Sequence, residues 1–167
     1  MDLQQKQQFF EQAIDSYSRP LYAHIRSIVI SHDDADDVLQ NTFLKAWTKL
    51  DSYKAEASMS TWLFRIATNE ALQHHRKIKL RRWFSLGTLP ETKATNDTSQ
   101  EISKVLENAL ETLSTQQRMI FGMKYFNAMK YSEIAAITNL AEGTLKATYH
   151  QAVKKIKNFV SQHEREF

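Results

Sequence analysis

Apolar residues recur three and four positions apart along nearly the whole chain, the spacing at which side chains share one face of an α-helix. Phe9, Phe10, Ala13, Ile14 and Tyr17 form a first stripe. That helix is expected to end near Arg19-Pro20, because the residue before a proline is pushed away from helical angles. A second helix is expected from about Leu21 to Ile30, with Leu21, Tyr22, Ile25, Ile28 and Val29 on one side. In a third, Ala35, Val38, Leu39, Phe43, Ala46 and Trp47 make the buried face. Its opposite face carries Asp37, Gln40, Asn41 and Leu44, also three and four apart, so a leucine stands among polar side chains where solvent is expected. Asp33, Asp34, Asp36 and Asp37 crowd the start of this helix, where carboxylates cap free amides and meet the positive end of the helix dipole.

After Leu50 comes a polar connection, DSYKAEASMS, and then a helix from about Thr61 to Lys77, with Ser60 or Thr61 as its expected cap. Trp62, Leu63, Ile66, Ala67 and Ala71 face inward; Arg65, Thr68, Asn69, Gln73 and Arg76 make a polar face, and Phe64 lies off the main stripe. The pattern breaks from Trp83 to Gln100, a stretch with Gly87, Pro90 and many Ser, Thr, Asn and Asp residues, which reads as a linker. Its apolar start, Trp83, Phe84, Leu86 and Leu89, is expected to dock on the folded part.

Periodicity resumes with Ile102, Val105, Leu106, Ala109, Leu110 and Leu113, and Ser114 with Gln117 forms the capping box of a following helix that runs on through Ile120, Phe121 and Tyr125. Asn127 to Lys130 read as a turn, Ser132 as the cap of a short helix to Thr138, and Asn139 to Gly143 as a tight turn. Leu145, Tyr149, Ala152, Val153, Ile156 and Val160 stripe a longer helix. Two helices joined by a tight turn containing glycine, the second one basic, describe a helix-turn-helix. The expected fold is all-α: two small helical domains, residues 1–82 and 101–167, joined by a flexible linker at 83–100, with the helix-turn-helix in the second. Three Gly and two Pro in 167 residues leave few turns for a sheet fold.

Charge changes the picture through its distribution, since the net value is only +3. Arg76, Lys77, Lys79, Arg81 and Arg82 run without an intervening acid, and Lys146, Lys154, Lys155 and Lys157 form a second basic stretch. The basic stretches suit a polyanion and the acidic turn suits another protein. The chain has no Cys, which excludes disulfides and thiolate zinc sites. The consecutive aspartates point in different directions and lack convergent partners for a metal. His74 and His75, adjacent on a helix, point apart and are expected to lie at the surface or contact backbone rather than bind metal. Nothing supplies a nucleophile or a phosphate loop, so neither an enzyme, a metal site nor a cofactor is expected. The N-terminus lacks a basic start with an apolar core, and no run is long enough to span a membrane; no membrane insertion and a cytoplasmic location are expected.

Three blocks together, DADDVLQNTFLKAW from Asp34, STWLFRIATNEALQHHRK from Ser60, and the stretch from Leu113 to Ile156, are similar in order and spacing to the extracytoplasmic-function sigma factors of bacterial RNA polymerase. The resemblance implies a non-enzymatic subunit that binds core RNA polymerase, recognises two promoter DNA elements and helps open the duplex. It implies that Asp37, Gln40, Asn41 and Leu44 dock on a coiled coil of the largest polymerase subunit. It implies that Tyr53, Lys54, Met59, Ser60, Thr61, Phe64, Arg65, Asn69, Gln73, Arg76 and Lys77 hold the melted promoter element, with Asn69 near a pocket for a base taken out of the stack. Thr144, Lys146, Ala147, Thr148, His150, Gln151 and Lys154 would enter the major groove of the upstream element. Members of the family are commonly held inactive by an anti-sigma factor, so such a partner is implied too. The chain departs from the family pattern at Asn41, where Glu is common, at Gln73, where Asp is common, and at Ala147, Thr148 and Gln151, where Ser-Arg and a further Arg are common. A helix-turn-helix regulator acting without polymerase docking is the alternative.

Overall fold

The computed structural model describes residues 2–84 and 99–163, which among them form seven α-helices and no strand. Leu3–Arg26 is α1, His32–Lys49 is α2 and Met59–Phe84 is α3, with a single 3-10 turn at Leu50–Ser52 after α2. Ser99–Glu111 is α4 and Thr115–Phe121 is α5; a π-helical turn at Gly122–Phe126 leads to α6, Tyr131–Thr138, and α7, Glu142–His163.

The break expected at Pro20 does not occur: Pro20 lies inside α1, which runs unbroken to Arg26. An internal proline costs a helix about 3 kcal/mol. Here Ala13, Leu21, His24 and Ile25 form one buried line across it, and burying Leu21 and Ile25 is worth about 1.5–3 kcal/mol each. The Ser18 hydroxyl also donates to the Ile14 carbonyl (2.5 Å) in the turn before the proline. Ile28 and Val29, expected inside a second helix, are instead buried in the turn that leaves α1.

Caps also differ from expectation. At α2 the cap is Ser31, whose Oγ accepts from the Asp34 amide (3.0 Å), so Asp33 and Asp34 occupy the first turn, where their charge meets the dipole. At α3 it is Ser58, accepting from the Thr61 amide (3.1 Å), rather than Ser60 or Thr61, and the helix continues past Lys77 to Phe84. For α6 the helix begins one residue before Ser132, and the Lys130 amide is satisfied by the Glu133 carboxylate (2.8 Å). The Ser114–Gln117 box at α5 is present in both directions, at 3.2 and 3.1 Å. Trp83 and Phe84 end α3 largely exposed instead of docked, and Leu86, Leu89, Gly87 and Pro90 lie outside the described residues.

Helices α1, α2 and α3 pack on one another, and α7 packs on α4, α5 and α6; α6 also packs along α3. One apolar cluster therefore runs continuously from Ala13, Leu21 and Ile25 through Leu63 and Phe64 to Met119, Ile134, Ile137 and Leu145. A smaller one, Leu113, Phe121 and Ala152, holds α7 to the end of α5 and to the turn before it. Thr68, expected on the polar face of α3, is buried, because it meets the one polar side chain of α1 inside the core. His24 Nε2 lies 2.7 Å from Thr68 Oγ1, and that hydroxyl donates its own proton to the Phe64 carbonyl (2.7 Å). Nε2 must then be the donor, which leaves Nδ1 a bare lone pair, buried with no hydrogen-bond partner.

Burial lowers the His24 pKa from 6.5 to about 4. Between those values the unfolded chain takes up a proton that the folded chain refuses, so stability falls as pH drops through this window. The expected loss from His24 between pH 7.5 and 4.5 is about 2–3 kcal/mol. Urea unfolding at the two pH values should show wild type losing more stability than His24→Gln; an equal loss in both removes His24 as the cause.

Candidate nucleic-acid interface

Helical geometry sorts the expected residues into three strips. At 100° per residue, Asp37, Gln40, Asn41 and Leu44 fall within one arc of α2. All four are exposed, Leu44 at 64%. The buried face behind them, Ala35, Val38, Thr42 and Ala46, packs on α1 and α3 and holds this strip toward solvent.

On α3, Arg65, Asn69, Gln73 and Arg76 share an arc, and all four are exposed, as are Lys54 and Lys77. Tyr53 is half-buried, its hydroxyl donating to the Ala57 carbonyl (2.6 Å) and its ring tilted against Trp62 at 4.9 Å. Met59 and Ser60 are half-buried. Thr61 and Phe64 are buried, Phe64 only 2% exposed with its ring 5.1 Å from that of His24. The position off the main stripe thus joins the core, since α3 is covered on more than one side. Arg65 is committed as well: Nε and Nη2 donate to the Ala136 carbonyl of α6 at 3.0 and 2.7 Å. Asn69 and Arg76 line a groove with His75 and Lys79 on one wall and Thr115, Met119 and Asn139 on the other.

The turn between α6 and α7 is made by Asn139 in the left-handed conformation (φ 59°), which asparagine tolerates better than most residues. Leu145 and Ala152 anchor α7, leaving Thr144, Lys146, Ala147, His150, Gln151 and Lys154 exposed and Thr148 half-buried, its hydroxyl donating to the Thr144 carbonyl (2.8 Å). Thr144, Ala147, Thr148, Gln151 and Lys154 share one arc, with Lys146 and His150 beside it. Lys146 lies over the Tyr131 ring at 5.7 Å, and Lys155 donates to Gln117 (3.1 Å).

Comparison with known proteins is decisive at this point. Sigma-70 region 2 matches residues 13–81, and Sigma-70, region 4 matches residues 100–156. The ECF RNA polymerase sigma-E factor of Escherichia coli (strain K12) is 30% identical over 152 residues, covering 83% of this chain and 80% of that protein. The chain belongs to the ECF RNA polymerase sigma factors. SigW of Bacillus subtilis (strain 168), another ECF sigma factor, is 26% identical across 90% of this chain and 88% of its own length. The sigma factor RpoE of Bartonella quintana, solved in complex with the anti-sigma factor NepR, has a TM-score of 0.79 at 28% identity, covering 91% of this chain and 96% of that one. As a sigma factor, the protein binds core RNA polymerase and directs promoter-specific initiation, and the helix-turn-helix regulator without polymerase docking is not favoured.

Several contacts within this sigma factor leave no trace in the sequence pattern. His74, expected at the surface or against backbone, is half-buried and hydrogen-bonds the Asp34 carboxylate (2.8 Å), tying α3 to the acidic turn. Burial acts to raise the Asp34 pKa, but the hydrogen bonds from Ser31 and His74 outweigh it and hold it below its ordinary value. The pKa of His75 is lowered, first by burial and then by its basic neighbours Arg118, Lys79, Arg82 and His74. Arg118 of α5 donates to the Ser27 carbonyl (2.6 Å) across the molecule. No periodicity marks Arg118, because its partner lies at the end of α1. No described helix is long and apolar enough to cross a membrane.

Because Phe64 is in the core and Arg76 is not, their truncations should separate. Phe64→Ala is expected to cost about 3–5 kcal/mol of stability, whereas Arg76→Ala should stay within about 0.5 kcal/mol. Urea denaturation of the two variants checks this, and a Phe64→Ala midpoint unchanged from wild type would contradict its placement.

Proposed function

We propose that this sigma factor works through the three strips in separate roles. Asp37, Gln40, Asn41 and Leu44 of α2 dock on core polymerase. Of the residues from Tyr53 through Lys77 named above, the exposed ones, Lys54, Arg65, Asn69, Gln73, Arg76 and Lys77, receive the melted promoter element, with Thr61 and Phe64 holding α3 in place behind them, and the exposed arc of α7 from Thr144 to Lys154 reads the upstream element in the major groove. The observation that carries the docking role is Leu44, an exposed leucine set in a polar arc on a helix whose other face is fully used. Support for the groove-reading role is the uncovered arc of α7, with Lys154 at its edge for phosphate and Gln151 at its centre for a base. Residues 1–82 and 101–167 form the two functional units, with 83–100 connecting them. The protein acts without catalysis and in the cytoplasm, where its polymerase works. An anti-sigma factor is the third partner, by analogy with the Bartonella quintana sigma factor solved with NepR.

The direct test adds the pure chain to core polymerase and maps the transcripts that begin when it is present. A stable complex and promoter-dependent transcripts are expected; neither appearing would sink the reading. Leu44→Asp should abolish core binding while leaving the melting temperature within about 2 °C, since a surface substitution changes stability by about 0.5 kcal/mol or less.

At the upstream element, glutamine favours adenine and arginine favours guanine. Gln151→Arg is therefore expected to shift preference at one base pair from adenine toward guanine by about 1–3 kcal/mol. Lys154→Ala should leave the preferred sequence unchanged and reduce the salt slope of duplex binding by about 0.9. Competition binding on a randomised duplex pool and a salt titration read the two effects.

A further inference from the structure

We propose that Trp83, with Phe84 beside it, is a stacking platform for an unpaired base of promoter DNA at one edge of the melted element. It rests on the assignment of that element to α3 and extends the contact by about two turns of helix.

The placement follows from the geometry of α3. At 100° per residue, Asn69, Gln73, Arg76, Leu80, Trp83 and Phe84 fall within about 100° of one another. The polar strip therefore does not stop at Arg76; it turns apolar and aromatic toward the helix end. All six side chains are exposed, Trp83 at 81% and Phe84 at 77%. Cations flank this arc on both sides, Lys79 and Arg82 on one and Lys77 and Arg81 on the other, and no acid interrupts the run from Arg76 to Phe84. From Arg76 to Trp83 is about 10 Å along the axis, the reach of roughly three nucleotides at about 3.4 Å each.

Packing does not account for these rings. The last buried residue of α3 is Ala71, and every residue from Lys79 to Phe84 is exposed. Helix propensity does not call for them either, since tryptophan and phenylalanine are only middling helix formers. Arg81 and Arg82 have a local reason to be there, because cations in the last turn meet the negative end of the helix dipole. Leu80, Trp83 and Phe84 have none, and an exposed apolar patch rimmed by charge marks a site of interaction.

Ring and charge together select the partner. Aromatic faces beside a basic track hold a single strand by stacking its bases while the cations take its phosphates. A lipid surface also accepts a basic, aromatic helix end. Here, however, the rings continue the arc of Asn69, Gln73 and Arg76, whose amide and guanidinium groups an apolar phase would leave unpaired. When a duplex opens, the last unpaired base loses a stacking neighbour; the Trp83 ring replaces it and so fixes where the held strand ends.

The test uses holoenzyme assembled from core polymerase and the full chain. The probes are the two single strands of a promoter mapped with the wild-type protein, each with 2-aminopurine replacing one base at a time. Quenching is expected at one position with wild type and is lost in Trp83→Ala. That variant should bind the strand at least ~5-fold more weakly, with Trp83→Tyr recovering most of the loss. Its salt slope should stay at the wild-type value, because no phosphate contact is removed, and its urea midpoint and core polymerase binding should be unchanged. Wild-type affinity and quenching in Trp83→Ala overturn the inference. So does a Trp83→Ala variant that keeps strand binding but loses binding to phosphatidylglycerol vesicles. If Arg76→Ala also binds the strand as wild type does, or the wild-type holoenzyme starts no transcript, the functional reading fails and the inference falls with it.

Discussion

The breadth of the apolar surface on α3 is the constraint on which the rest of the molecule depends. Buried positions from Ile66 through Leu63, Ala67, Ala71, Phe64 and Thr68 to Thr61 sweep roughly 220° of the helix at 100° per residue. Two neighbours of a three-helix unit do not cover an arc that wide. Helices α1 and α2 take one side, and the remainder is closed by α6 with the turn before it. On the uncovered side of α3, Arg65, Asn69, Gln73 and Arg76 form an exposed polar strip. The single core that joins both units follows from this one helix.

How much of this was legible in the sequence depends on the range of the interaction. The stripes of α2 and α7 and the Ser114–Gln117 box are local patterns, written at spacings of three and four, and they appear as read. The stripe of α5 stops at Phe121, with Tyr125 exposed in the π-helical turn, and the turn before α7 is made by Asn139 while Gly143 lies inside α7. So does the misplaced leucine at Leu44, because its exposure follows from the geometry of a single helix. Pro20 misleads because a local preference is outweighed by the buried line on either side of it. Thr68 and Phe64 mislead because their partner, His24, lies on another helix, and a periodicity count has no means of knowing that α3 is covered twice. Arg65 and Arg118 were legible as cations but not as caps, since each reaches a helix end far away in the chain. The break in pattern at Trp83 falls one residue before the end of α3, because exposed aromatics at a helix end carry no buried stripe.

Electrostatics decides how firmly such an arrangement holds. The groove beside the polar strip gathers His75, Arg76 and Lys79 on α3, and Arg82 and Arg118 are near enough to act on His75. Burial lowers the Arg118 pKa, with Glu111 opposing that effect. The cations there act on one another, as the depressed His75 pKa records: burial first, then Arg118, Lys79, Arg82 and His74 all disfavour its proton. Since its folded pKa lies below the unfolded value, the stability His75 contributes is present at higher pH and declines as pH falls below the ordinary histidine range.

Like charge in the groove therefore opposes the packing of the two units, while the two guanidinium caps and the covered methionines favour it. Opposing terms of this kind leave a small difference, and a small difference is what a partner can reverse. Arg65 decides how the seam is held, because it spends two of its donors on the Ala136 carbonyl. The two units are joined by guanidinium groups at helix ends and by a shared apolar cluster, and not by net charge.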